Sequence, residues 1–462
     1  MGWGIAKDAR EKHLSGCHAL KRQLVSAGKS MQTHKKKIAR DIIHDATACL
    51  TLKQKQPKPK PKQKQKQEHK QAEASNCQFP TELHSAVVDA AAAFRRVAFT
   101  GCSALRAATS VLKTANISKP QKISVLFDLS DGCAYPPQRA ELHRQRYAGK
   151  HLAYDDAVAI FKKLKCKKED ILTYPITRPL LLRTDLDWNL LFMDKQLKRF
   201  VFKIFATALK HAAVGMFAAN DFVSDGEVHV WTQTKEHTCI TASTIKSVPA
   251  TTLFSMFGEG DLRCYASVLQ MLLHGTPVVL HSIDTDFLLM VLCAAPWLPA
   301  IPKYMITLSD TVYDGNKILT RFMGKSETDK INSAYWALAF GTDYSNPLTN
   351  NGYFNKEIIQ LMNPASHCRR PITLLNDTDA CFDLKKALFV LKPLRCSLGK
   401  KVPKDSLQTT LVKMLFCLQY YGLMFVDTEN TLFPKMPVLD SKSCTFTFKY
   451  KPCITSITNT GQ

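Results

Sequence analysis

The chain has 462 residues and a mass of 51.8 kDa, enough for one large or two to three ordinary domains and too much for a disulfide-stapled mini-protein. Apolar residues at 45% and charged residues at 22% lie near the globular averages, which excludes wholesale disorder. Lys+Arg 63 against Asp+Glu 39 leaves a net charge of +24, a surplus that favours a polyanionic partner, nucleic acid or an anionic membrane.

The N-terminal stretch from Met1 to His13 turns charged within seven residues and has no apolar core of signal-peptide length. Ala6 stands where the myristoylation pattern wants Ser or Thr. Fifteen cysteines are scattered without a single Cys-x-x-Cys pair, so neither a zinc ribbon nor a redox dithiol is written here and reduced, intracellular thiols are expected. The longest apolar stretch, Phe287 to Pro302, holds three prolines and falls short of the ~20 residues of a spanning helix. A soluble, intracellular, monomeric protein without a membrane contact follows, and the charge then points to nucleic acid.

In chain order, Ile42–Ile43 is the first strand-like run and leads through His44 into Asp45. From Lys53 to Lys70 the sequence carries eight lysines, one acid and no apolar residue, so it reads as a solvated arm of extended or polyproline character. Lys58, Lys60 and Lys62 are its candidate phosphate contacts. Without this arm the surplus falls by seven, to +17, so the folded part is basic in its own right. Ser85–Arg96 reads as a helix, and Ile123–Phe127 as a strand that runs into Asp128. Arg139 and Arg146 lie two helical turns apart, with Arg144 between them, so one helix face presents both guanidiniums.

Ala157–Leu164 reads as a further helix. Between Trp188 and Met216, apolar residues recur at three- and four-residue spacing while Lys195, Lys198, Arg199, Lys203 and Lys210 fill other faces. That pattern predicts a long basic amphipathic helix, either an ordinary surface helix or the border of a nucleic-acid channel. Glu259 and Asp261 open a helix over Leu262–Leu273; Val278–Ile283 is a strand that runs into Asp284 and Asp286. A helix over Asn332–Phe340 is followed by Asp343. The C-terminal part offers a helix from Asp405 to Phe425 and a strand within Cys444–Lys451.

Strands alternate with helices, so the class is α/β with a mainly parallel sheet. Three strands end in aspartate, and in such a sheet the carboxyl ends of the strands form the binding crevice, where side chains distant in sequence converge. Asp45, Asp128, Glu259, Asp261, Asp284, Asp286 and Asp343 in one pocket would repel one another unless cations neutralise them. Hard oxygen ligands suit Mg²⁺ or Mn²⁺, and a pair of such ions stabilises the attacking and leaving oxygens of a phosphodiester displacement.

In that order and with those residue types, the chain resembles the flap endonuclease/XPG-type structure-specific nucleases. The resemblance rests on Met1-Gly2, on Asp45-Ala46-Thr47, on Phe127-Asp128, on Glu259-Gly260-Asp261 with Cys264, on Asp284-Thr285-Asp286, and on Gly341-Thr342-Asp343-Tyr344. It implies a PIN-like core and two Mg²⁺ (or Mn²⁺) ions, with Asp45, Asp128, Glu259 and Asp261 mainly on one and Asp284, Asp286 and Asp343 mainly on the other. Arg139 and Arg146 would orient the scissile phosphate. Gly2, Lys58, Lys60, Lys62, Arg144, Lys195 and Arg199 would contact branched, flap or single-strand-containing DNA.

The same resemblance divides the chain into an N-terminal nuclease half (1–150), a basic helical arch or gateway (151–250), an internal nuclease half (251–365) and a C-terminal extension (366–462). Several family features are missing: Thr51 replaces a stacking aromatic, Leu129 follows Asp128 in place of glycine, and no Gly-Ile-Gly helix-hairpin-helix follows Asp343. Divergence with retained carboxylates is most similar to versions carried by large DNA viruses, which implies a nuclear or viral replication compartment. A PIN-like 5′-exoribonuclease and a degenerate nuclease fold kept for DNA binding are the two alternatives.

Overall fold

The computed structural model describes residues 50–51, 80, 82–98, 104–127, 195–232, 236–249, 260–282, 284, 286–298, 304–308, 311–317, 326–342, 345, 347–348, 355–363, 370–391, 404–422, 438–440 and 443–451. The fold is organised around a short strand, β2 (Ser85–Asp89), whose five residues are all buried. Burial on both faces is the mark of a central parallel strand covered by helices on each side. Its register runs parallel to β3 (Lys122–Leu126) on one side and to β7 (Val278–Ser282) on the other. β4 (Glu227–Trp231) continues in parallel beyond β3, and β8 (Tyr304–Leu308) beyond β7.

Antiparallel strands extend both edges. β5 (Glu236–Ile240) and β6 (Ile245–Pro249) follow β4, while β9 (Thr311–Asp314) and the two-residue β1 (Leu50–Thr51) follow β8. The order is β1-β9-β8-β7-β2-β3-β4-β5-β6. The protein is therefore mixed α/β, with a mainly parallel central sheet flanked by helices.

One face of the sheet is covered by α1 (Ala90–Ala98), α2 (Ala104–Ala115) and α3 (Lys195–Ala218). Phe94, Phe127, Phe202 and Phe205 interlock there, with ring centroids 4.8 Å apart for Phe94–Phe205 and 5.3 Å for Phe127–Phe202. On the opposite face, α4 (Gly260–Leu273) and α5 (Asp286–Ala294) pack on Val87, Leu126, Val278 and Leu280. The same core continues into α6 (Glu327–Ala337), α7 (Asn355–Met362), α8 (Leu384–Val390) and α9 (Lys404–Gly422). A second, antiparallel sheet of order β10-β11-β13-β12 closes this side, formed by Ile372–Leu374, Asp379–Asp383, Thr445–Lys449 and Val438–Asp440.

Two polar ties connect these layers. The buried Tyr265 hydroxyl is placed between the carbonyls of Met290, at 2.8 Å, and Tyr421, at 2.7 Å, joining α4 to α5 and α9. The Asn332 amide acts as a substitute peptide: its Oδ1 accepts from Ile372 N at 3.0 Å and its Nδ2 donates to Ile372 O at 2.9 Å. It thereby satisfies the outer edge of β10.

Several expectations change here. Ser85–Arg96 is not one helix: Ser85–Asp89, with Val87 and Val88 buried on both faces of the sheet, is a strand, and the helix begins only with the alanine run at Ala90. Of the stretch 151–250 assigned to a gateway on sequence grounds, α3, β4 and β5 contribute buried residues to the core, while residues 242–247 are exposed. α3 packs along α2 with Phe202, Phe205, Leu209 and Ala213 buried, and β4, β5 and β6 extend the main sheet. The C-terminal part is likewise built into the core, with Leu411, Leu415 and Tyr421 of α9 fully enclosed. The strand over Ile123–Phe127, that over Val278–Ile283 and the helices over Leu262–Leu273 and Asn332–Phe340 form where expected, the last as α6 followed by a 3₁₀ turn, Leu338–Phe340.

Candidate active site

β2 leads through α1 and α2 to β3 on one side, whereas β7 lies on the other side of β2. The strand order therefore reverses between β2 and β7, and at such a reversal the crossovers leave to opposite faces and open a crevice at the carboxyl ends of the strands. The residues at that end are Asp89 on β2, Ser282 at the end of β7, and Asp284 and Asp286 just after it.

Asp89 is 3% exposed. Its Oδ1 accepts from Ala92 N at 3.1 Å, which caps the first turn of α1, and its Oδ2 accepts from the Ser282 hydroxyl at 3.1 Å. Ser282 Oγ in turn accepts from Asp284 N at 3.2 Å, and Asp284 Oδ1 accepts from Asp286 N at 2.9 Å. A hydrogen-bond chain thus runs from Asp89 through Ser282 and Asp284 to Asp286, which is 4% exposed at the start of α5. The capping role explains one oxygen of Asp89; the other is aimed across the reversal point.

α4 brings a third element to this end. Arg263, fully buried in its first turns, donates from one guanidinium nitrogen to the carbonyls of Phe127 and, at 3.1 Å, Thr232. Both carbonyls lie just past the carboxyl ends of β3 and β4. The N-terminal turn of α4, with Asp261, therefore sits at the same edge as Asp89. α1, α4 and α5 all begin here, so three helix N-termini present partial positive charge to the crevice. Together with the Arg263 cation, they offset part of the repulsion among the carboxylates.

The turn after α6 packs against α9. Gly341 adopts φ 85°, and Thr342 and Ser345 close a small loop, with Thr342 N donating to Ser345 O at 3.0 Å and Thr342 Oγ1 lying 3.8 Å from Cys417 Sγ. Burial pushes the Cys417 thiol up to about 11 against hydrogen bonds from Thr342 and Ser345, and the Asp286 charge adds to the rise.

Of the sequence-predicted metal ligands, Asp261, Asp284 and Asp286 are brought to this edge. Asp45, Asp128, Glu259 and Asp343 lie outside the described residues, as do Gly2, Lys58, Lys60, Lys62, Arg139, Arg144 and Arg146; Lys195 and Arg199 are in the first turns of α3. Sequence reasoning missed Asp89, Ser282 and Arg263. Asp89 carried the same signal as the others, an apolar Val87-Val88 run ending in aspartate, but the alanines that follow hide the strand.

Hard oxygen donors at a site enclosed by protein fit Mg²⁺ or Mn²⁺ and suit softer metals poorly. No protein-family profile matches the chain, and no curated protein sequence is similar to it. Among the described residues, no helix is long and apolar enough to cross a membrane.

Proposed function

We propose that this protein is a Mg²⁺-dependent nuclease of the flap-endonuclease, PIN-like kind that hydrolyses phosphodiesters in branched or single-strand-containing DNA. The observation that carries the proposal is the convergence of Asp89, Asp284 and Asp286 at the strand-order reversal, linked through Ser282, with Asp261 at the same edge. Asp89 supplies the first-strand carboxylate on this reading, the position that the resemblance gave to Asp45.

When bound by these carboxylates, a pair of magnesium ions supplies an activated water and neutralises charge on the phosphoryl oxygens during in-line displacement. The chain's own groups do the rest. Ser282 fixes the rotamer of Asp89, and Arg263 holds the ends of β3 and β4 together at this edge. The N-termini of α1, α4 and α5 attract the phosphate backbone. Arg139 and Arg146 orient the scissile phosphate, and the lysine arm adds sequence-independent affinity that falls with salt. A nuclear or viral replication compartment supplies such substrates.

The test is incubation of the purified protein with labelled flap, nicked, gapped and hairpin DNA, and with matched RNA, in the presence and absence of Mg²⁺. Mg²⁺-dependent cleavage of the branched DNA substrates supports the reading. Cleavage confined to RNA points to the exoribonuclease alternative, and tight binding without cleavage with or without Mg²⁺ points to a degenerate fold.

A further inference from the structure

A second group of ligand-type side chains stands on the sheet away from the carboxylate crevice. Glu227 and His229 are two residues apart on β4 and so project from one face, and Cys239 of β5 is the direct cross-strand partner of His229. The His229 Nε2 donates to Glu227 Oε2 at 2.8 Å, and Cys239 Sγ lies 3.8 Å from the same nitrogen. One ligand atom from each of the three falls within 4.8 Å of the other two.

We propose that Glu227, His229 and Cys239 form a zinc site that ties the antiparallel β4–β5 pair to the parallel sheet. Carboxylate oxygen, imidazole nitrogen and thiolate sulfur are the three donor types that zinc accepts in tetrahedral geometry. Around such an ion, nitrogen–oxygen and nitrogen–sulfur pairs stand roughly 3.3–3.6 Å apart. The present spacings of 2.8 and 3.8 Å differ from these by about half an ångström, within side-chain adjustment.

The setting favours this ion over magnesium. A thiol and an imidazole select zinc, whereas magnesium takes oxygen ligands and keeps its waters. One face of the imidazole is covered: His237 stacks on it with ring centroids 5.1 Å apart, and Trp231 in turn stacks on His237 at 3.9 Å. His229 is 7% exposed, while the Glu227 side chain is 45% exposed, which leaves an entry path and room for water as a fourth ligand. The site is two residues back along the strands and two strands across from Asp89, roughly 12 Å away by strand spacings, so it does not share ions with the crevice. β4 pairs parallel with β3 and antiparallel with β5, so a metal across the β4–β5 pair ties the antiparallel extension to the parallel sheet and fixes its register.

The experiment uses the full-length protein, stripped with a chelator and then titrated with Co²⁺ in excess Mg²⁺, so that oxygen-rich sites are already occupied. Wild type is expected to show the near-ultraviolet thiolate-to-cobalt charge-transfer band and a rise of several degrees in melting temperature with Zn²⁺. Cys239→Ser should lose the band, whereas Cys381→Ser, a half-buried thiol of the second sheet, should keep it. Glu227→Gln, a change at a half-exposed position that leaves the fold intact, should weaken Co²⁺ binding by roughly tenfold or more. Absence of the band in wild type, or wild-type affinity in Glu227→Gln, overturns the proposal, even where Cys239→Ser fails to fold.

Discussion

Replacing Gly341 by alanine puts a methyl group where the chain has no room for one. The residue ends the 3₁₀ turn after α6 at φ 85° and ψ 151°, a conformation that is nearly exclusive to glycine. A Cβ there would stand 2.7 Å from Pro347 N and 2.9 Å from Pro347 Cδ, and the first of these is backbone that no rotamer change can move. Backbone strain of ~1–3 kcal/mol and overpacking of ~1–3 kcal/mol together give a loss of about 4 kcal/mol. At roughly 2–4 °C per kcal/mol for a unit of this size, the melting temperature should fall by ~8–16 °C. Urea denaturation of wild type and variant gives the free energy directly, and Mg²⁺ titration of the variant reads the site, because Thr342 and Asp343 follow the distorted residue. A loss under about 1 kcal/mol would refute the close approach of Gly341 to Pro347.

Three further outcomes follow from other parts of the molecule. Asn332→Ala strips the substitute peptide from the edge of β10 and leaves the N–H and C=O of Ile372 buried without partners, a cost of roughly 3 kcal/mol; denaturant melts and faster hydrogen exchange at the Ile372 amide check it. For Glu327, burial raises the carboxyl, but hydrogen bonds from Tyr450 at 2.8 Å and Lys451 at 3.2 Å outweigh it and hold the group below its ordinary 4.5. A lowered carboxylate stabilises the fold above that ordinary value and loses the contribution as pH falls through the lowered one, so the melting difference between wild type and Glu327→Gln should shrink as pH falls below 4.5. Deleting Lys53 to Lys70 should flatten the salt dependence of DNA binding, since each lost phosphate contact removes a released counterion, and leave the melting temperature unchanged.

The parts of the fold that could be read from the sequence were those whose signal is local. β3 and β7 are apolar runs too short for helices, and α4, α6 and α9 carry their own periodicity, so these elements and the α/β alternation were visible. Asp284 and Asp286 were found because they directly follow a strand of that kind. Asp89 was not, because Ser85–Asp89 contains only two β-branched residues and leads straight into four alanines; what makes it a strand is burial between β3 and β7, contacts made by residues far away in sequence. Arg263 was overlooked for the opposite reason. A charged residue in a helix reads as surface, whereas this one is fully enclosed and spends its charge on two strand-end carbonyls. The amphipathic pattern of α3 was legible but not what its apolar face covers: Phe202 and Phe205 dock on α1 and the sheet. The Glu227, His229 and Cys239 group depends on the register between β4 and β5, which no local pattern specifies.

The most direct test of the central claim is single-turnover cleavage of a labelled flap in Mg²⁺ by Asp89→Asn, with Asp45→Asn alongside. Asparagine keeps both contacts of Asp89, accepting from Ala92 N and donating to Ser282 Oγ, so the cap and the fold persist while the charge is removed. The account predicts that Asp89→Asn cleaves slower by roughly 10²-fold or more with DNA affinity retained, and that Asp45→Asn cleaves close to the wild-type rate. A wild-type rate in Asp89→Asn contradicts it.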